Sequence, residues 1–189
     1  GVLAWLDATN GALLWRHDLG AEHGLTHALL SERAQYGCSS SPLVVGELVI
    51  VAAGGAPEGP HPGLVAFDKA SGALRWEGPA RNISYSSPAL AELGGVTQVL
   101  VVNEDTLSGH SLGDGALLWE HPWPGNSSGD SSASQAVPLP PAQVFVSKGY
   151  GVGAALLELA PRAGGNCDVR EVWHDGRLLR TKMTNVVVH

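Results

Sequence analysis

Small polar side chains recur at equivalent positions along this sequence, and they are its first candidates for a ligand site. Four stretches of the sequence share one pattern: a serine or threonine stands two positions before an apolar run, and a second polar residue lies between them. Polar groups that converge on one point can orient a ligand, but hydroxyls at crowded strand starts also bond to backbone or water. Both interpretations stay open at this stage. The hydroxyl residues are Ser40, Ser86, Ser134 and Thr184, and those that follow them are Ser41, Ser87, Gln135 and Asn185.

Two groups of residues have the chemistry of metal ligands. The stretch Asn103-Glu104-Asp105 offers oxygen atoms, but it falls in a predicted turn, where such residues are common. His23 and His27 are spaced i, i+4 near a predicted short helix at residues 25–33, and two histidines on one helical face can bind a metal. No third ligand is identifiable, so we predict no metal site. The other histidines considered, which we predict to be surface residues, are His17, His61, His110, His121 and His174.

The sequence contains no motif for nucleophilic or thiol chemistry. It has neither a Gly-x-Ser-x-Gly elbow nor a Ser/His pair at a meaningful spacing, so we predict no catalytic residue. Its two cysteines, Cys38 and Cys167, are far apart and belong to no Cys-x-x-Cys pair. Buried, inert thiols are the favoured interpretation, and a disulfide remains open.

Composition narrows the class of protein and of partner. The chain has 189 residues with 25 glycines and 12 prolines, which favours many turns and an all-β fold over long helices. A net charge of −7 argues against nucleic acid as a partner, because binding phosphates needs a basic face. No apolar run approaches the ~20 residues that a transmembrane helix needs.

The sequence pattern of one β-hairpin occurs three times in the chain, and this repeat is the basis of the predicted fold. Residues 63–76 read as an apolar run, a glycine turn and a second run that ends in tryptophan, and residues 3–15 and 107–119 repeat this pattern. A second element, a polar start followed by two apolar runs, recurs at intervals of 46, 48 and 50 residues. Together they give four short strands per unit, which is the signature of a β-propeller blade.

The predicted domain organisation is a single propeller over residues 1–189, built from four-stranded antiparallel blades. Predicted strands fall at 42–45, 48–52, 64–68 and 73–76, at 88–93, 97–102, 106–110 and 116–119, and at 136–139, 144–147, 154–159 and 169–173. A further first strand is predicted at 184–188. The predicted blades are 1–19 (partial), 38–76, 84–119, 133–173 and 181–189 (partial), and we expect the chain to be a fragment of a longer propeller.

The repeated hairpins resemble the PQQ-type propeller repeat, Ala-x-Asp-x-x-Thr-Gly-x-x-x-Trp. Residues 6–15 and 67–76 carry the specific copies, residues 110–119 lack the aspartate, and residues 169–173 keep only the tryptophan. Residues 146–153 and 182–185 are similar to BamB-like repeat proteins of Planctomycetes-type bacteria. The resemblance implies that the tryptophans dock between blades and that the aspartates and glycines shape the turns. These structural positions are Trp15, Trp76, Trp119, Trp173, Asp7, Asp68, Gly11, Gly72 and Gly115.

The resemblance also implies where function would lie. The first strand of each blade lines the central channel in this family, so Ser40, Ser86, Ser134 and Thr184 would form a polar ring around it. The family contains quinoprotein alcohol dehydrogenases and non-catalytic BamB-like proteins. The dehydrogenases hold PQQ with Ca²⁺ and an aspartate base, and their adjacent cysteines and haem motif do not occur in this chain.

We therefore expect a non-catalytic scaffold or binding module of the cell envelope, periplasmic or otherwise exported. Its partner would be a protein or small ligand at the channel mouth or at rim loops such as residues 20–37 and 123–134. No cofactor is expected under this hypothesis. The alternative is a PQQ-dependent oxidoreductase that binds PQQ and Ca²⁺ and whose catalytic blades lie outside this stretch.

Overall fold

The strands form four antiparallel sheets that follow one another as the blades of an open, unclosed propeller. The computed structural model describes residues 1–24, 28, 34–54, 62–82, 84–125 and 129–188. The fold class predicted from the repeats, an all-β partial propeller, is confirmed. A single short helix, α1 (Leu19–Glu22), and one 3₁₀ turn (Ala163–Gly165) are the helical elements bounded within the described residues.

Each complete blade is a four-stranded meander, and the first blade is a hairpin of two strands. The first blade contains β1 (Val2–Leu6) and β2 (Leu13–Asp18), and the second contains β3 (Leu43–Val45), β4 (Leu48–Ala52), β5 (Leu64–Asp68) and β6 (Leu74–Glu77). The third contains β7 (Ala89–Leu93), β8 (Val96–Val102), β9 (Thr106–Ser111) and β10 (Leu117–Pro122). The fourth contains β11 (Val137–Leu139), β12 (Gln143–Lys148), β13 (Gly153–Pro161) and β14 (Cys167–Asp175).

The antiparallel meander divides the connections between two opposite faces. The links between first and second strands and between third and fourth strands are short turns, and they share one end of the blades, the turn face. The links between second and third strands and from one blade to the next share the other end, the loop face. The described ends of the connections between blades and between second and third strands lie at the loop face.

Apolar side chains between neighbouring blades hold the sheets together. Val49, Val51 and Phe67 of the second blade pack with Leu3 and Trp15 of the first. Similar clusters join the second blade to the third and the third to the fourth. Because both sides of an inner blade are covered in this way, its two middle strands are buried almost continuously, as in β4 and β5, whereas β6 at the edge of the same blade is mostly exposed.

The tryptophan of one blade covers the glycine turn of the next at two of the three blade junctions. The indole N–H of Trp15 donates to Lys69 O at 2.9 Å, and a Cβ on Gly72 would lie 2.7 Å from the Trp15 ring. Trp76 repeats this arrangement on the third blade. Trp119 instead donates to Gln98 Oε1 of its own blade at 2.5 Å, and half-buried Trp173 packs near Phe145.

The aspartates of the repeat organise the turns that these tryptophans cover. Asp68 Oδ1 accepts the backbone N–H groups of Ala70 and Ser71, which lowers the pKa of its carboxyl group. Asp7 accepts the N–H of Thr9 in the same way, with its pKa lowered by the Thr9 side chain and backbone. Each turn then reaches a glycine in the left-handed region, with φ 75° at Gly11.

One prediction about local structure is wrong, and another falls on residues that the structure does not describe. The strand predicted at residues 184–188 does not form, because no described segment pairs with it in a ladder. The stretch instead runs beside residues 134 and 135 at the start of the fourth blade. The helix predicted at residues 25–33 lies outside the described residues except for Ala28, as do His27 and His61.

Candidate functional site

The hydroxyls of the predicted polar ring connect one blade to the next. Buried Ser86 donates through its Oγ to Ser134 O at 3.0 Å. Buried Ser134 repeats the contact one blade further, with its Oγ 2.7 Å from both Thr184 O and Thr181 Oγ1. Ser40 is half-buried and Thr184 is exposed. The two buried hydroxyls are thus committed to contacts between blade starts.

The following polar column makes the complementary contacts. Ser87 Oγ accepts the backbone N–H of Ser41 at 2.8 Å, and Asn185 Oδ1 accepts that of Gln135 at 2.9 Å. The amide of Asn185 also donates to Gln135 Oε1 at 2.8 Å. Side chains of one blade start therefore satisfy backbone groups of its neighbour, which free strand ends would otherwise leave unpaired.

A cavity of about 390 Å³ opens beside this ring on the loop face. Four of its five lining residues stand one position before the predicted ring residues. The side chains that line the cavity are therefore the neighbours of the ring residues and not the ring residues themselves. The fifth, Tyr36, comes from the long connection between the first and second blades. The lining residues are Tyr36, Ser39, Tyr85, Ala133 and Met183.

Two tyrosines form the aromatic part of the wall of this cavity. Tyr85 is 8% exposed, and burial is the main reason that its pKa is raised. Its backbone N–H donates to Ser132 O at 3.0 Å, which ties it to the fourth blade. The ring of Tyr36, 67% exposed, lies 5.8 Å from the Tyr85 ring between centroids. A cavity with aromatic walls and one serine hydroxyl suits an apolar side chain or ring.

A buried lysine lies elsewhere on the same face. Lys148, at the end of β12, is 2% exposed and donates to Pro124 O at 3.0 Å. Burial lowers its pKa, and the negative charges of Asp130 and Glu104 act in the opposite direction. A Cβ on Gly125 would lie 2.2 Å from Lys148 Nζ, so the loop closes directly over the ammonium group. Lys148 anchors the connection to the fourth blade.

A Ser–His pair exists in the third blade, but it lies in the interior. Ser108 Oγ is 2.9 Å from His110 Nε2, and the other ring nitrogen faces Gly115 O at 3.2 Å. Both side chains are at most 1% exposed, so the prediction of a surface His110 was wrong. Burial, the largest cause, lowers the pKa of His110 to about 4. Neutral imidazole here completes a buried polar network rather than meeting a substrate.

The side chains considered as metal ligands have other roles. Buried Asn103 donates from Nδ2 to Ser108 Oγ at 3.0 Å and to Thr106 Oγ1 at 3.2 Å. His23 Nδ1 lies 3.5 Å from Glu77. Within the described ranges, no group of three or more His, Cys, Asp or Glu side chains has the arrangement of a metal site. Both cysteines are free, Cys38 half-buried and Cys167 buried.

The sequence was compared with models of known protein families, and one model matches nearly the whole chain. The family model described as outer membrane protein assembly factor BamB matches residues 1–182. The chain belongs to this BamB family of PQQ-like repeat propellers. No curated protein matches the sequence significantly. In the part of this BamB-family chain that the structure describes, no helix has the length and apolar character needed to cross a bilayer.

The described lining of the cavity in this BamB-family chain lacks the groups that would hold PQQ, the quinone of quinoprotein dehydrogenases, together with Ca²⁺. A bound Ca²⁺ needs several oxygen ligands, usually carboxylates, and a catalytic base must lie within reach of the substrate. The described lining consists of tyrosine, serine, alanine and methionine, with no carboxylate.

Sequence reasoning missed the cavity residues because they carry no motif. Tyr85, Ala133 and Met183 differ in type, so the repeat alignment shows them as a variable column between better-matched ones. The available signal was their spacing: Ser39, Tyr85, Ala133 and Met183 each stand one position before a predicted ring residue.

Proposed function

We propose that this chain is a non-catalytic binding module that engages a partner protein through its loop face. An apolar side chain of the partner enters the cavity formed by Tyr36, Tyr85, Ala133 and Met183. Tyrosine side chains, which have only two rotatable side-chain bonds, bind such a side chain with little loss of conformational freedom. The turn face consists of tight hairpins, and we assign it the structural role of holding the blades in place.

One observation carries the proposal: the two buried hydroxyls of the polar ring are used between the blades, while a mostly apolar set of side chains lines the cavity. Ser86 and Ser134 direct their hydroxyls to neighbouring carbonyl groups. Apart from Ser39, the described lining of the cavity is aromatic and aliphatic, and it lies on the loop face. Such a surface favours an apolar anchor residue over a substrate that needs acid–base chemistry.

We place the module in the cell envelope, periplasmic or otherwise exported. The support is the family description, which names an outer membrane protein assembly factor. Fractionation of the cells that make the protein, with detection by a specific antibody, tests this placement. Recovery in the cytoplasmic fraction would contradict it.

The binding proposal is tested by selecting random displayed peptides on the purified protein and measuring their affinity. Ala133→Leu adds bulk to the cavity wall, and we expect it to weaken selected peptides by about tenfold or more. Ala70→Leu makes the same change on the exposed turn face and should leave affinity unchanged. Equal affinity for both variants and the parent would contradict the cavity as the binding site.

A second assay tests the non-catalytic part of the proposal. The protein is incubated with PQQ and Ca²⁺, binding is followed by calorimetry, and dye-linked oxidation of alcohols and sugars is recorded. We expect neither saturable binding nor turnover. Saturable binding with turnover would make the protein a quinoprotein oxidoreductase.

A further inference from the structure

A cluster of unpaired positive charge lies on the connection that leaves β14. Arg177, Arg180 and Lys182 occur within six residues, and all three are exposed. Among the described residues, none of them has a carboxylate within 4.0 Å, although the chain as a whole carries a net charge of −7. Five other basic side chains do pair with carboxylates: Lys69, Arg75, Arg81, Arg162 and Arg170.

Apolar side chains are exposed within the same connection, residues 176–183, which we name the basic loop. Leu178 and Leu179 are 44% and 49% exposed, and Met183 is 69% exposed. The ammonium group of Lys182 lies 4.8 Å from the ring centre of Tyr150, which projects from the adjacent β12–β13 link. Positive charge and apolar surface are therefore interleaved rather than separated.

The backbone of the basic loop is held by its own hydrogen bonds. Arg177 donates its N–H to Asp175 Oδ1 at 2.7 Å, and Thr181 donates to Leu179 O at 2.8 Å. Arg180 donates from Nε to Gly176 O at 3.1 Å. Asp175, the acidic side chain just before the loop, thus accepts a backbone N–H group and forms no ion pair with Arg177, Arg180 or Lys182.

The basic loop and the cavity form one continuous surface through Met183. Met183 lines the cavity together with Tyr36 and Tyr85, and it follows Lys182 directly. A partner residue in the cavity would therefore bring its sequence neighbours within reach of the basic loop. Carboxylates are the groups that arginine binds most strongly, through paired charge-assisted hydrogen bonds.

We propose that the occupant of this surface is an extended segment of a partner protein in which acidic residues flank an apolar anchor. This inference rests on the proposed function and specifies its partner: the anchor fills the cavity and the acidic residues contact Arg177, Arg180 and Lys182. The negative charge of the rest of the chain orients such a segment by repelling it elsewhere. A concave cavity beside the charges favours a peptide over a bilayer, which presents a flat surface.

The test is the peptide selection, repeated with charge-reversed variants. We expect peptides rich in Asp and Glu next to an aromatic or aliphatic residue. Arg180→Glu should weaken them by about tenfold, and added salt should weaken them further. Lys182→Glu gives a second, independent reversal. Arg16→Glu is the matched control, because Arg16 is exposed on β2 and unpaired within the described residues; we expect little change.

The outcomes separate this inference from the proposed function. Peptides that lack acidic residues but still depend on Ala133 would overturn the charge inference alone. Peptides that ignore Ala133→Leu would overturn the proposed function. Vesicles of phosphatidylglycerol provide the remaining arm: Arg180-dependent binding to them, without selection of acidic peptides, would make the basic loop a membrane contact and overturn the inference. Circular dichroism checks that each variant folds.

Discussion

The indole ring of Trp76 lies directly against Gly115 of the next blade. A Cβ built on Gly115 would approach the ring to 2.5 Å, and the indole N–H donates to Leu112 O of the same turn at 3.1 Å. Gly115 also has φ 73°, which side-chain-bearing residues rarely adopt. The second and third blades therefore each present a glycine turn that the tryptophan of the preceding blade covers.

Gly115→Ala should destabilise the protein by more than the backbone conformation alone explains. We expect a loss of roughly 2–4 kcal/mol, from the left-handed backbone together with the contact to Trp76. Gly11→Ala is the control, since Gly11 has φ 75° but a Cβ added there would meet no atom within 4 Å, and it should cost only about 1–2 kcal/mol. Urea denaturation measures both. Equal losses would show that the Trp76 contact adds nothing.

Ser134→Ala tests whether the hydroxyls of the polar ring join the blades. Loss of the Ser134 contacts with Thr184 O and Thr181 Oγ1 should lower the free energy of unfolding by about 1 kcal/mol or somewhat more. Ser40→Ala is the matched control, because the hydroxyl of Ser40 makes no hydrogen bond with the described residues, and it should be nearly neutral. Unfolding midpoints of the two variants and the parent decide the comparison; a neutral Ser134→Ala would leave the ring without this structural role.

Stability should fall when the solution becomes mildly acidic. The pKa of His110 is about 4 in the folded protein against 6.5 for a free side chain, mainly because of burial. Between these values the unfolded chain binds a proton that the folded chain does not. The contribution of His110 to the free energy of unfolding is therefore fully present above pH 6.5. It decreases toward pH 4 by at most about 1.4 kcal/mol per pH unit.

Urea denaturation across this pH range, with a His110→Gln variant, isolates the contribution of His110. We expect the variant to show a flatter pH dependence between pH 4 and 6.5, whatever its absolute stability. His174→Gln, at an exposed position on β14, should retain the slope of the parent. An unchanged slope in His110→Gln would assign the acid sensitivity to other groups.

The repeats predicted the blades well because hydrophobic runs and glycine turns are local signals. The predicted strands at 48–52 and 64–68 match β4 and β5 residue for residue. The strand predicted at 184–188 failed since a strand depends on a partner segment, which its own residues do not encode.

The candidate site was harder to predict than the blades. Residues 84–87 precede β7 and belong to no ladder, so the alternation of a strand does not fix which side chain faces the cavity. Tyr36 reaches the cavity from a long connection, and the path of such a connection depends on tertiary contacts rather than on local sequence. The lack of ion pairs between the basic loop and the described carboxylates likewise depends on tertiary contacts, which the local sequence does not encode.

The most direct test of the binding-module account uses Met183, which is the only methionine in the chain. Protein labelled with ¹³C at the methionine methyl group gives one resonance that reports on the cavity, and it is titrated with a selected peptide. The account predicts a saturable shift of this resonance, with an affinity that Ala133→Leu weakens and Ala70→Leu does not. Peptide binding that leaves the Met183 signal in place would contradict the account.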